Sequence, residues 1–233
     1  MSSSPVSRET LLDDERDTKV RDALLARYPA ASEGLIRYSE LLAGPGVVRG
    51  LLGPREVGRL WERHVANSAV IAELIPDGSN VVDVGSGAGL PGIPLALVRP
   101  DLHVILIEPL LRRSTFLTEA IAELGLGDQV TVRRSRAEDI TEPIAQVVTA
   151  RAVAPLDRLA GWALPLVPVG GCLLAIKGAT AEDEARQATP ALLRLGAGPS
   201  EVIYCGAALL DLPTIVVRVP KVRVGPGRRR RSR

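Results

Sequence analysis

The chain has 233 residues, 46% of them hydrophobic and 24% charged, with a formal net charge of +2. That balance excludes a disordered or fibrous chain and fits one generous globular domain, or a domain with a smaller extension. No apolar run approaches the ~18 residues of a membrane span. Met1 to Asp22 lacks the apolar core of a secretory signal. Cys172 and Cys205 have neither metal-ligand spacing nor the look of a disulfide framework. A cytoplasmic protein with no membrane contact and no metal site is expected.

Residues 1–22 read as a flexible polar N-terminus grading into helix, and residues 23–77 as an interrupted helical cap. Leu35, Ile36, Tyr38, Leu41 and Leu42 make an apolar stripe, which Gly44-Pro45-Gly46 ends. Val57, Leu60, Trp61, His64, Val65, Ser68 and Ile71 make a second stripe between about Glu56 and Leu74. Arg49, Arg55, Arg59 and Arg63 scatter positive charge through the cap, which on pattern alone is simply its wet side.

Pro76-Asp77-Gly78-Ser79-Asn80 is turn chemistry, and residues 78–219 then alternate strand-like and helical patterns. Strands are expected at Val81–Val84, His103–Ile107, Val130–Arg133, Gln146–Ala150, Cys172–Ile176, Glu201–Cys205 and Thr214–Val219. Helices are expected at about Ile93–Val98, Leu111–Leu124, Leu156–Leu164 and Ala181–Leu195. This predicts an α/β fold: a doubly wound, mostly parallel, seven-stranded sheet behind an N-terminal helical extension. The link Leu210-Asp211-Leu212-Pro213 is too short for a crossover, so the last two strands should pair antiparallel. Residues 220–233 read as a disordered basic tail; after Asp211 there are eight positive residues and no acidic one. Such a tail suits either a phosphate backbone or nothing beyond solvent.

The chemistry concentrates at Val81 to Gly92. A strand runs into Gly85-Ser86-Gly87-Ala88-Gly89, and a helix follows, which is how a nucleotide-type cofactor site opens. A dinucleotide fingerprint requires Gly-x-Gly-x-x-Gly, and Leu90 stands where its third glycine would be. Asp83 sits two positions before the first glycine, a carboxylate suited to the cationic groups of S-adenosylmethionine. Glu108 ends the next strand, 19 residues beyond Gly89, where it can accept from both ribose hydroxyls. Ala137-Glu138-Asp139 follows the third strand, where an adenine-contacting loop would lie. Singly each has a structural explanation; in this order together they point to S-adenosylmethionine.

The acceptor is less legible. No Asn/Asp-Pro-Pro-aromatic turn follows the fourth strand, and both cysteines fall in expected strands, away from the loop a cysteine nucleophile needs. A ring nitrogen such as guanine N7 has an exposed lone pair and needs only in-line placement, without a general base. Other readings stay open on the residues alone: a non-catalytic RNA-binding or ribosome-assembly factor, or a small-molecule methyltransferase.

The run Asp83-Val84-Gly85-Ser86-Gly87-Ala88-Gly89-Leu90-Pro91-Gly92-Ile93-Pro94, with Arg99-Pro100, closely resembles the glucose-inhibited division protein B family of ribosomal RNA guanine-N7 methyltransferases. Arg112-Arg113, Phe116-Leu117, Arg136-Ala137-Glu138, Thr149-Ala150-Arg151-Ala152, Ala175-Ile176-Lys177-Gly178 and Glu62-Arg63-His64 match as well, so that the resemblance spans about Leu35 to Val219. It implies methylation of N7 of a guanine in 16S ribosomal RNA of the small subunit; nothing in the sequence demands an oligomer, so a monomer is expected. It implies S-adenosylmethionine contacts at Gly85, Leu90, Ala137, Glu138 and Arg151, a ribose ligand at Glu108, and an RNA side at Arg63, His64 and Lys177. Asn67-Ser68 stands where the family has Asp-Ser, which puts any role for a charge there in doubt.

Overall fold

In the computed structural model, which describes residues 8–140 and 142–225 and side chains from residue 13 on, seven strands form one sheet in the order β3-β2-β1-β4-β5-β7-β6. They are β1 (Asn80–Val84), β2 (His103–Ile107), β3 (Val130–Arg133), β4 (Val147–Arg151), β5 (Cys172–Lys177), β6 (Glu201–Cys205) and β7 (Thr214–Pro220). β1 pairs parallel with β2 and β4, and β7 runs antiparallel to both β5 and β6. The chain direction therefore splits at β1, with β2 on one side and β4 on the other. In doubly wound sheets the crevice at the carboxyl ends of such strands is where ligands bind. Of residues 220–233, expected as a disordered basic tail, residues 220–225 pack on the fold instead: Pro220 ends β7, and the buried Lys221 ammonium donates to Leu164 O and Val167 O at 2.8 and 2.6 Å. Residues 226–233 and the first seven lie outside the described residues.

Valine-rich strands suit a sheet covered on both faces. Along β1 side chains alternate: Val81 joins one hydrophobic cluster, and Val82 and Val84 join the other. The first cluster takes α4 (Gly92–Val98), α5 (Leu111–Glu123) and the N-terminal helices; the second takes α6 (Leu156–Ala163) and α7 (Ala181–Arg194). Residues 23–77 thus share a core with one face of the sheet.

The first helix, α1, spans Arg8–Arg27, so residues 8–22 are helical where the sequence suggested a flexible lead-in. The reason is tertiary. Val20 and Leu24 are buried, and the Asp17 carboxylate accepts the backbone N–H groups of Trp61 and Glu62 at 3.1 and 2.7 Å. Those donors open the helical run Trp61–Ala66 where it continues from the short piece Pro54–Arg59, so Asp17 ties α1 to that junction. α2 (Ser32–Leu41) buries Leu35, Tyr38 and Leu41, as its stripe predicts. Beyond it, short helical pieces at Pro54–Arg59, Trp61–Ala66, α3 (Asn67–Ala69) and Val70–Leu74 lay the cap across the carboxyl end of the sheet.

Candidate functional site

The glycine turn after β1 is shaped by its own backbone. Gly85, Gly87 and Gly89 have φ of +69°, +58° and +102°, the left-handed side that side chains disfavour. A Cβ on Gly85 would lie 2.9 Å from the Val153 side chain, whereas one on Gly87 would meet nothing nearer than 3.8 Å. Gly85 is therefore small for packing, and Gly87 keeps a concave surface open. The N–H groups of Gly85 and Ser86 donate to Ile107 O at 2.9 and 3.2 Å. Glu108, only 2% exposed, completes the turn: one carboxylate oxygen accepts from Gly87 N and the other from Leu110 N, both at 3.0 Å. From the cap side the buried Tyr38 hydroxyl donates to Ala88 O at 2.9 Å.

Above this turn lies a cavity of about 520 Å³. Of the residues singled out from the sequence, Gly85, Gly87, Leu90, Glu108, His64 and Arg151 line it. Sequence reasoning gave no site role to Leu51, Leu52, Leu110 and Val153, which with Ala152, visible only inside a family match, supply most of its apolar wall. Arg113, which also lines it, was visible only as part of a family match.

Three expected site residues are placed otherwise. Asp83, expected beside the turn as partner for a cation, is fully buried beneath it. Strand alternation turns its side chain under α4, where one oxygen accepts from Gly92 N at 3.0 Å and the other has no partner. Burial raises its pKa from 3.8 to about 7. Ala137 is buried in the second core cluster, and Glu138, in the same single turn, stands outside the cavity wall.

A second cavity of about 470 Å³ adjoins the first, and His64, Arg151 and Ala152 line both. The dividing wall is a hydrogen-bonded chain. Arg151, the last residue of β4, donates to Arg63 O at 3.0 Å and to His64 Nδ1 at 2.9 Å. The other ring nitrogen, Nε2, lies 2.9 Å from Glu56 Oε2. A guanidinium can only donate, so Nδ1 is the acceptor and Nε2 carries the proton toward Glu56. Burial, aided by the nearby Arg151 charge, lowers the His64 pKa, and the His64 hydrogen bond lowers that of Glu56. The imidazole is thus neutral, with both nitrogens engaged, and is no free base. Ala152 has φ +54°, the one non-glycine residue with positive φ among the described residues. Strain of this kind concentrates where a site dictates the backbone.

Arg63 and Lys177 also line the second cavity, but the Lys177 ammonium is turned into protein. It donates to Ala154 O at 2.8 Å and to Glu184 at 2.7 Å, and Glu184 in turn accepts from Leu156 N. Lys177 thereby fixes the loop between β4 and α6. Asn67 bridges to β7, its amide donating to Thr214 Oγ1 at 2.8 Å, a role that requires no charge. Among the described residues no cluster of His, Cys, Asp and Glu could hold a metal, and no helix is long and apolar enough to cross a membrane.

Known proteins resemble this chain over most of its length. The profile of a family described as rRNA small subunit methyltransferase G matches residues 31–211. A ribosomal RNA small subunit methyltransferase G of Streptomyces coelicolor is 56% identical over 211 residues, covering 90% of this chain and 86% of the relative. One from Mycolicibacterium gilvum is 54% identical over 219 residues, covering 90% and 96%. Among solved structures, a SAM-dependent O-methyltransferase from Thermotoga maritima superposes with a TM-score of 0.54 at 17% identity, over 71% of this chain and 67% of that one. A tRNA (m1A58) methyltransferase from Aquifex aeolicus gives 0.53 at 15% identity, over 68% and 69%. These last two share the fold.

Proposed function

The chain belongs to the rRNA small subunit methyltransferase G family, and from that premise we propose that it transfers a methyl group from S-adenosylmethionine to N7 of a guanine in 16S ribosomal RNA. The observation that carries the reading is a glycine cradle, closed by the Glu108 carboxylate, set beside a second, polar cavity that shares its His64, Arg151 and Ala152 lining.

The residues present fit the donor. Glu108 spends one acceptor site per oxygen on backbone N–H groups, and an ionised carboxylate offers about four. One site per oxygen is left, which suits two adjacent ribose hydroxyls. Gly87 leaves the cradle floor open, and Leu52, Leu110 and Val153 offer the apolar wall that a flat base requires. Gly85, Gly87, Leu90, Glu108 and Arg151 form the binding set; Asp83 supports the turn from below. Ala137 and Glu138 lie beyond this wall, in the turn after β3, and stay in the proposal as contacts for the base end of the donor.

When bound, S-adenosylmethionine supplies an electrophilic methyl whose bond to sulfur breaks, its electron pair leaving on sulfur, as the N7 lone pair forms the new C–N bond. No proton leaves the base, so the engaged state of His64 is no handicap. The protein contributes placement: Arg151 and His64 form the rigid wall between the cavities, and Lys177 holds the loop that carries the strained Ala152. A monomer acting in the cytoplasm, where such an RNA is found, completes the proposal.

The test is methyl transfer from labelled S-adenosylmethionine to unmethylated small-subunit RNA and to intact small subunits. Label should enter the RNA, and borohydride–aniline cleavage should map it to one guanine. Absence of incorporation into both substrates would contradict the proposal.

A further inference from the structure

The second cavity has an inventory of polar groups, and most are already spent. Lys177 is held by Ala154 O and Glu184, Asn67 by Thr214, and His64 by Arg151 and Glu56. Apart from the half-exposed cation Arg63, Glu56 is the exception. Its Oε2 meets His64 Nε2 at 2.9 Å and its Oε1 has only a long contact, 3.4 Å, to the half-exposed Arg63. Each oxygen therefore keeps an acceptor site, and the side chain is 32% exposed at the cavity wall.

We propose that Glu56 selects guanine, by accepting the N1–H and N2–H donors of the target base on its two carboxylate oxygens. This rests on the methyltransferase reading above and deepens it. Of the four bases guanine alone presents two neighbouring donors on its pairing edge. Adenine and cytosine pair a donor with an acceptor whose lone pair would face the carboxylate, and uracil's single N–H is flanked by two carbonyls. Enzymes that modify a base read it on this edge once it leaves the stack. A site built around donors rejects analogues lacking them more strongly than an apolar pocket rejects a size change.

The geometry also suits the chemistry. N7 lies across the purine from the N1/N2 edge. A guanine gripped at Glu56 directs N7 away from that carboxylate, toward the Arg151–Ala152 wall that the two cavities share. Methylation at N7 leaves the base cationic and its N1–H more acidic. Both hydrogen bonds to the carboxylate strengthen as that charge develops, so Glu56 binds the transition state more tightly than the ground state. The contact with His64 keeps the Glu56 pKa low, which preserves the ionised acceptor.

The experiment measures binding of GMP, IMP and AMP to the full chain in the presence of S-adenosylhomocysteine, for the wild type, E56Q and E56D. IMP lacks only the N2 amine. The wild type should bind GMP at least about 10-fold more tightly than IMP or AMP, the scale expected for one lost charged hydrogen bond. E56Q should bring GMP to the level of IMP, with AMP unchanged within about twofold, and E56D should give an intermediate preference. Equal wild-type affinities for GMP and IMP, no GMP binding at millimolar concentration, or an intact GMP preference in E56Q would each overturn the proposal. If E56Q fails to fold, the wild-type ratio and E56D decide it. Loss of S-adenosylhomocysteine binding by the wild type would instead overturn the methyltransferase reading.

Discussion

The cavity over the glycine turn has a floor of main chain and one buried carboxylate under a largely apolar wall, whereas its neighbour is walled mainly by polar and charged side chains, around residues 56, 63–67, 151–152 and 176–178. The first depends on backbone conformations that only glycine adopts freely. The second depends on a relay, Glu56–His64–Arg151, in which each group fixes the next. A donor common to many methyltransferases can be met by shape and hydrogen-bonding capacity alone. An acceptor that must be told from its competitors requires specific side chains, and these are free to come from anywhere in the chain.

That contrast can be tested from below, at Asp83. Its pKa is raised to about 7 by burial, so the folded apoprotein holds the proton through a range where the unfolded chain has lost it. The associated stability is complete below the unfolded pKa near 3.8 and is lost as pH rises through about 7. D83N should therefore gain stability relative to the wild type between pH 4 and 8, by up to roughly 4 kcal/mol at 1.36 kcal/mol per unit. Chemical denaturation across that range measures it, and a difference independent of pH would show that Asp83 is not the buried group described.

E108A attacks the cradle directly, since two backbone N–H groups lose their acceptor at once. At ~1.5–3 kcal/mol for a hydrogen bond to a charged group, S-adenosylmethionine affinity should fall about 100-fold or more. Calorimetric titration reads the loss; an affinity within threefold of wild type would mean that the cradle stands without its carboxylate.

The relay has its own signature. Burial and the Arg151 charge lower the pKa of His64, so its contribution is present above the ordinary histidine value and is lost as pH falls through the lowered one. Protonation at Nδ1 removes the acceptor for Arg151. Methyl transfer should decline about tenfold per pH unit on that acid limb, the slope of a single protonation. H64A should be slower throughout and lack the limb. A wild-type rate with no acid limb down to the pH at which the fold is lost would dismiss the relay.

The smallest effect belongs to Tyr38, which joins the cap to the turn through one hydrogen bond. Y38F should cost about 1 kcal/mol, or roughly 2–4 °C in Tm for a domain of this size. No change in Tm would show that the cap holds the turn by packing alone.

The same division explains what could be read in the chain beforehand. The glycine turn and Glu108 each lie at the end of a hydrophobic strand, and strand order is visible in linear sequence; so was the antiparallel close, from a four-residue link. Asp83 was misplaced because a carboxylate at a strand end faces a cavity or a core according to pleat parity and the helix packed above it. Lys177 looked like a free cation because its partner Glu184 lies in the following helix. Glu56 gave no signal, standing among arginines in a short helical piece whose inner face is set by contacts with His64, eight residues on.

Methylation of guanine N7 in small-subunit RNA by this chain is tested most directly by deleting the gene and mapping N7-methylguanine in the 16S RNA by borohydride–aniline cleavage and primer extension. One modification should disappear, return with the wild-type gene, and stay absent with E108A. Persistence of every N7-methylguanine in the deletion strain would contradict the account.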